Sequence, residues 1–391
     1  MRRQKRRQVK IIPGKSPRKY LRFLVISCFL SLLFFLTWDA GTVFAAGKQE
    51  AYDYSDAQDA MDEAMEKAPS FSKLVDALVS GKVGEALKEI PAYLKEALFS
   101  EIGGSRNSLG HVLLIAAFGT VFSGLAVSFQ DRQAGEMGFY VTYLLLLTLL
   151  LEAFSEAAGI AKSTVSHVLE FMGAVLPAFT LSVAAAGKPL TSVFSYEFIM
   201  AAISIIEWLF QVVFIPGIQV YVVLNLVNHI AKEDILTKMT ELLELLLGWG
   251  LKTLIGLVVG YGMIQSMVIP AADSIKTGTM TKLLSAIPGI GGSAGAAASL
   301  VTGTACLIKN GIGMAALLVL VLLAAVPVLK LAVLTVLYHG AAAMIQPVAD
   351  ERVTECLAGT AGAVRLLLKL TTAAAGMFLL IVGVICAFTS A

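Results

Sequence analysis

The sequence predicts an all-α polytopic membrane protein, with about six to eight transmembrane or re-entrant helices behind a small extracytoplasmic helical N-terminal region. The first ground is composition. The 391 residues are 57% apolar and only 15% charged, whereas a soluble domain carries about a quarter charged residues. Mean hydropathy is +0.79. The second ground is length, because apolar runs long enough for a bilayer recur from Leu109 onward. The third is a pair of prolines that comes round twice at an offset of 111 residues: Pro177 answers Pro288, and Pro216 answers Pro327. "VLPAFTLSVAAAG" (Val175–Gly187) matches "AIPGIGGSAGAAA" (Ala286–Ala298), and "FIPGIQVYVVLNLVNH" (Phe214–His229) matches "AVPVLKLAVLTVLYHG" (Ala325–Gly340). An internal duplication is therefore expected, with repeats over 138–248 and 249–365 and a final span over 366–388. Duplicated units with broken helices are a common way to build a polar site at mid-membrane.

Residues 1–45 form a basic extension and a signal segment. Ten Lys and Arg residues stand between Arg2 and Arg22, at or before the start of the apolar run Leu21–Leu36, and small residues follow at Val43 and Ala45. That layout fits a secretory signal cleaved after Ala45, or an uncleaved anchor. The basic flank stays in the cytoplasm, which places residues 46–108 on the outer side. This stretch holds twelve Asp and Glu against seven Lys and Arg. Its apolar residues recur at helical spacing. Ser55 is placed to cap a helix whose Ala57, Met61, Ala64 and Met65 share a face. A second helix presents Phe71, Leu74, Val75, Leu78 and Val79 and stops at Gly81. A third carries Val83, Leu87 and Ile90 and bends at Pro91. Such short helices bury little surface alone. They belong on the membrane surface, on the membrane domain, or on a partner.

The membrane domain, 109–391, has candidate spans at Leu109–Phe129, Gly138–Glu156, Phe194–Ile230, Gly250–Ile269, Asn310–Ala342 and Arg365–Phe388. The third and fifth exceed one straight crossing, and each holds one of the repeated prolines, so each is expected to kink or break. Small-residue stretches at Phe171–Gly187 and Leu284–Gly303 suit tight hairpins that dip into the membrane, or else full crossings. Pro177, Pro216, Pro288 and Pro327 are the expected helix-break or hairpin positions. Two polar amphipathic segments, Lys232–Leu247 and Val348–Leu366, suit interfacial helices.

Ionisable and amide side chains at membrane depth are the candidates for function. Glu207, Gln211, Gln219, Asn225 and His229 recur at helical spacing along the third span, while Lys330 and His339 lie at similar depth in the fifth. They predict either a polar path between the repeats, with Lys330 neutralising Glu207, or hydrogen-bonded glue between helices. Catalytic motifs are missing: there is no His-Glu-x-x-His, no Gly-x-Ser-x-Gly and no phosphate loop. The four cysteines, Cys28, Cys306, Cys356 and Cys386, have no metal-ligand spacing and suit small core residues. With a net charge of only +2, no nucleic-acid partner is implied; no enzyme activity, metal or cofactor is expected, and the lipid bilayer is the first partner.

The order of landmarks carries a resemblance. "LPAFTLSVAAAGKPLTS" is followed by "NHIAKEDILTKMTELL", then "IPGIGGSAGAAASLVTGTACLIKNGIG", a long apolar span, and "LYHGAAAMIQPVADERV". This order resembles the stage III sporulation protein AE family of endospore-forming bacteria. The resemblance implies a multi-pass protein of the mother-cell membrane around the forespore. It implies partners from the same operon, including a secretion-type ATPase and ring-forming proteins, and indirectly the forespore Q protein. Together these form a trans-envelope channel, and no catalytic residue comes with the family. The alternative reading is a stand-alone secondary transporter that uses Glu207 and Lys330.

Overall fold

The computed structural model describes residues 52–65, 69–82, 84, 132–228, 236–285, 291–347 and 351–390. Among them there is no strand. Two short helices, α1 (Ser55–Ala64) and α2 (Phe71–Val79), precede α3 (Arg132–Ala185) and α4 (Pro189–Leu209). A π turn at Phe210–Phe214 joins α4 to α5 (Ile215–Asn228). Then come α6 (Thr237–Ser285), α7 (Gly291–Ile345) and α8 (Glu351–Ser390). Five segments are long and apolar enough to cross a bilayer: Tyr143–Ala185, Pro189–Asn228, Thr237–Ile264, Thr302–Ile345 and Glu351–Ala387. The chain is a multi-pass membrane protein. The expected signal segment, third amphipathic helix, span Leu109–Phe129 and Pro288 lie outside the described residues.

Residues expected to leave the helix stay in it. Phe171–Gly187 forms the end of α3, which runs through Pro177, and the first chain reversal comes at Gly187, whose φ of 83° suits glycine. Pro189 then opens α4, where a missing N–H costs nothing. A helix end inside a bilayer would leave backbone groups unsatisfied, so continuity wins over the local bias of Gly and Ser, and the alanines favour it too. Hydroxyls add donors around Pro177. Thr180 Oγ1 donates to the Leu176 and Pro177 carbonyls (2.8 and 3.1 Å), and Ser182 Oγ donates to Phe179 O (2.6 Å). For the same reason Thr237–Leu247 is the first part of α6 rather than a separate interfacial helix, and α8 runs unbroken from Glu351. The boundary expected between repeats, at 248/249, therefore falls inside a continuous helix.

Pro216 and Pro327 differ in setting. Pro216 directly follows the π turn, where the Ile215 N–H reaches back five residues to Phe210 O. Widening the turn relieves the clash between the proline ring and the carbonyl four residues back. Pro327 sits inside an uninterrupted α7.

The long helices pack side by side, with α8 at the centre against α3, α5, α6 and α7. Of the apolar window in α8, 61% is buried, against 17–33% in the other four segments. Small residues permit the close approach: Ala361 and Ala363 of α8 are fully buried. α3 and α4 form an antiparallel hairpin closed by a bond from Ser192 Oγ to Thr180 O (2.6 Å), buried between them. Ser192→Ala removes one buried hydrogen bond, worth about 1 kcal/mol. It is expected to lower the melting temperature in detergent by roughly 2 °C.

The two short helices dock on the long ones, α1 on α3 and α2 on α7. Ala57, Met61, Phe71, Leu74, Val75 and Leu78 face inward and are buried. Ser55 is the first residue of α1 rather than its cap. Asp53 holds that end instead, accepting from Ser55 Oγ and N (2.6 and 2.9 Å), which keeps its carboxyl below the usual carboxylate range. Gln58 ties the pair together: its Oε1 accepts from the Phe71 N–H (2.7 Å), an otherwise orphaned donor at the start of α2.

Candidate functional site

The polar stripe expected along the third span divides in two. A π turn inserts one residue into the helical register and so rotates everything beyond it. Glu207, Gln211 and Gln219 face outward and are exposed, and Gln211 Nε2 donates to Glu207 Oε1 at 3.3 Å. Asn225 turns inward. Its carboxamide fills the space where Gly359 of α8 has no side chain, so that a Cβ there would run into it. His229 lies outside the described residues. Lys330 is half-buried on α7 and His339 is exposed on the same helix. Neither α4 nor α5 shares a substantial interface with α7, so Glu207 and Lys330 are not brought together.

What the fold does assemble is an inner seam and an outer seam. In the inner seam, Tyr143 of α3 is 1% exposed and donates its hydroxyl to Leu226 O at 2.8 Å, with Cys356 of α8 beside the same hydroxyl. One helical turn along, the Tyr221 hydroxyl lies 3.6 Å from where a Gly362 Cβ would stand. Asn228 closes the end of the seam, accepting from Leu236 N (2.7 Å) and donating to Thr237 Oγ1 (2.8 Å). These are hydrogen-bonded contacts between helices, of the kind that hold membrane bundles together. Tyr143→Phe keeps the ring and removes the donor. A loss of about 1 kcal/mol is expected, seen as a lower melting temperature with unchanged gel-filtration profile.

The outer seam is cationic. Arg365 Nη2 of α8 lies 3.7 Å from Glu244 Oε1 of α6, with both side chains about half exposed. Lys369 of α8 lies within electrostatic reach of that pair and of Lys252 of α6, and His339 of α7 lies within reach of Arg365. Three basic side chains and one carboxylate thus share this seam, on helices of membrane-spanning character. The sequence reading missed this seam because Glu244 and Lys252 are more than a hundred residues from Arg365 and Lys369. Apolar helices carrying Lys or Arg were the available signal.

A third feature lies deeper. Lys309 of α7 is fully buried, with Cys306, Cys386 and Lys188 as neighbours. Cys356 and Cys386 are themselves buried core residues. Among the described residues, no three His, Cys, Asp or Glu side chains converge in a way that would hold a metal ion.

The sequence profile of stage III sporulation protein AE matches residues 69–389, which takes in α2 through nearly all of α8. The chain is also 25% identical over 275 residues to the stage III sporulation protein AE of Bacillus subtilis (strain 168), covering 70% of this chain and 68% of that one. No solved structure matches. With the family profile spanning a docked short helix and every one of the five apolar segments, the chain belongs to the stage III sporulation protein AE family and is a sporulation membrane protein.

Proposed function

We propose that the chain is a non-enzymatic membrane subunit of a sporulation-specific trans-envelope channel between mother cell and forespore, needed for forespore development after engulfment. The observation that carries this reading is the extent of the family match. It includes the whole apolar bundle together with the outer helix α2 docked on it. A channel subunit needs both, a membrane anchor of several long helices and a face turned toward the space between the two membranes. The mother-cell membrane is the proposed location, with the N-terminal helices in the intermembrane space. Proposed partners are the other stage III sporulation A-operon proteins, including the secretion-type ATPase and the ring-forming proteins, and indirectly the forespore Q protein.

A stand-alone transporter would place its substrate or proton site between Glu207 and Lys330. The separation of their helices disfavours that arrangement.

In the native host, deletion of the gene is expected to halt spore development after engulfment and leave vegetative growth intact. In parallel, the purified chain in vesicles is expected to take up no solute by itself. Solute uptake by the chain alone, abolished by Glu207→Gln, would overturn the channel reading.

A further inference from the structure

We infer that copies of this chain associate head to tail through their bilayer helices, the Glu207 flank of one copy seating against the Lys252–Arg365–Lys369 seam of the next. The inference does not depend on the channel reading. It rests on a mismatch of length and on a mismatch of charge.

Length comes first. Large apolar side chains stand exposed along α4 and α5 from Val193 to Val227, and along α6 from Met239 to Ile264. At about 1.5 Å per residue, the first stretch extends roughly 50 Å. The hydrocarbon core of a bilayer covers only about 30 Å. An upright sleeve would exceed the lipid tails by around 20 Å, and tilting and covering by another protein surface are the ways to accommodate that excess.

Charge identifies the occupant. Glu207 is exposed on α4, and its hydrogen-bond partner is the neutral Gln211 on its own helix. Lys252, Arg365 and Lys369 are exposed, with Glu244 as the carboxylate among them. α6 stands between Glu207 and the cations of α8, because it packs on both α4 and α8, while α4 and α8 barely touch. Glu207 and the α8 cations therefore lie on different flanks of one molecule, and among the described residues Glu207 forms no ion pair. Of the three cations, Lys252 lies at a height similar to that of Glu207. Gly250 packs against Phe214 and Gly217 against Leu247, which sets Lys252 level with about position 212 and roughly 8 Å along the axis from Glu207. Lysine's long stem spans much of that gap. Anionic lipid headgroups would satisfy the cations and leave Glu207 uncovered. A second copy covers both with one contact. The two surfaces differ, so the contact is heterologous and repeats into a ring or an open array rather than stopping at a dimer.

Cross-linking of the full chain in bilayer nanodiscs and vesicles tests this. Ser204 is exposed one turn before Glu207, and Gly256 is exposed one turn beyond Lys252 with open space at its Cβ. The double variant Ser204→Cys/Gly256→Cys, treated with a short bifunctional maleimide, is expected to give a ladder of dimers, trimers and higher species. Each single variant is expected to give monomer. In native mass spectrometry, Glu207→Lys and Lys369→Glu are each expected to cut the oligomer population at least tenfold, and the combined variant to restore it. If a reversed variant aggregates, Glu207→Gln and Lys369→Gln replace it, with the same direction expected. Several results would overturn the inference: monomer throughout, dimers from one single variant alone, oligomers indifferent to both charges, or oligomers only when anionic lipid is present.

Discussion

Gly313→Leu is expected to abolish recovery of folded protein. Gly313 sits where α7 meets α8 and α3. A Cβ built there runs into Cys386 Sγ and comes within 3.4 Å of the Phe179 ring. Neither neighbour has anywhere to go, since Cys386 is 1% and Phe179 3% exposed. Overpacking a rigid site costs about 1–3 kcal/mol and sometimes more. Leucine here adds four carbons between three helices at once, so the upper end applies. A total stability of about 5–15 kcal/mol leaves little margin. Gly313→Ala, with one carbon, is expected to give an intermediate loss. Gly340 provides the contrast on the same helix, because nothing lies within 4 Å of its Cβ position. Gly340→Ala is expected to leave the melting temperature unchanged or to raise it slightly, as helix propensity favours alanine by about 1 kcal/mol. Fluorescence-detected gel filtration and thermal melting in detergent measure all three. Equal behaviour of the 313 and 340 variants would show that the α3–α7–α8 contact does not hold the bundle together.

The same packing explains what could be seen in the sequence and what could not. The apolar faces of α1 and α2 were legible residue by residue, since Ala57 and Met61, and Phe71, Leu74, Val75 and Leu78, follow the helical period that buries them. Membrane character was equally plain. Helix ends were not. The small-residue stretch before Gly187 suited either a tight hairpin or a full crossing because small side chains let backbones approach closely, whereas a chain without water has no partner for its backbone except itself, which favours the continuous helix. The change from polar to apolar near Leu247 looked like an element boundary, yet hydrogen bonding carries straight through it. The polar stripe failed for a geometric reason: spacing arguments assume an unbroken 3.6-residue period, and the π turn before Pro216 breaks it. The cation seam joins residues from distant parts of the chain, and no local period encodes that. Gly359 and Asn225 show the same limit, being a close pair from α8 and α5 that neither helix announces alone.

Phe71→Ala is the second large effect expected, and it separates the outer helices from the bundle. Phe71 is fully buried. Its ring meets Phe171 of α3 edge-on at 5.9 Å and Tyr54 at 5.5 Å. Truncating a buried phenylalanine costs about 3–5 kcal/mol. Two helices of ten and nine residues have little else to hold them, because short helices are marginal without tertiary packing. The loss therefore falls on a local equilibrium rather than on the whole molecule. Amide exchange across Ser55–Val79 is expected to speed up by at least a hundredfold, which is about 2.7 kcal/mol, while exchange in α3, α7 and α8 stays as it was. The contact can also be attacked from the membrane side. A side chain at Gly311 of α7 would run into Val79, so Gly311→Leu pushes α2 away with no change in α2's own residues. The two variants share no residue and no helix, so if both release the same amides, docking on α7 and α3 is what orders α1 and α2. If exchange across Ser55–Val79 stays slow in both, the order comes from within the pair, and the Gln58–Phe71 bond becomes the place to look.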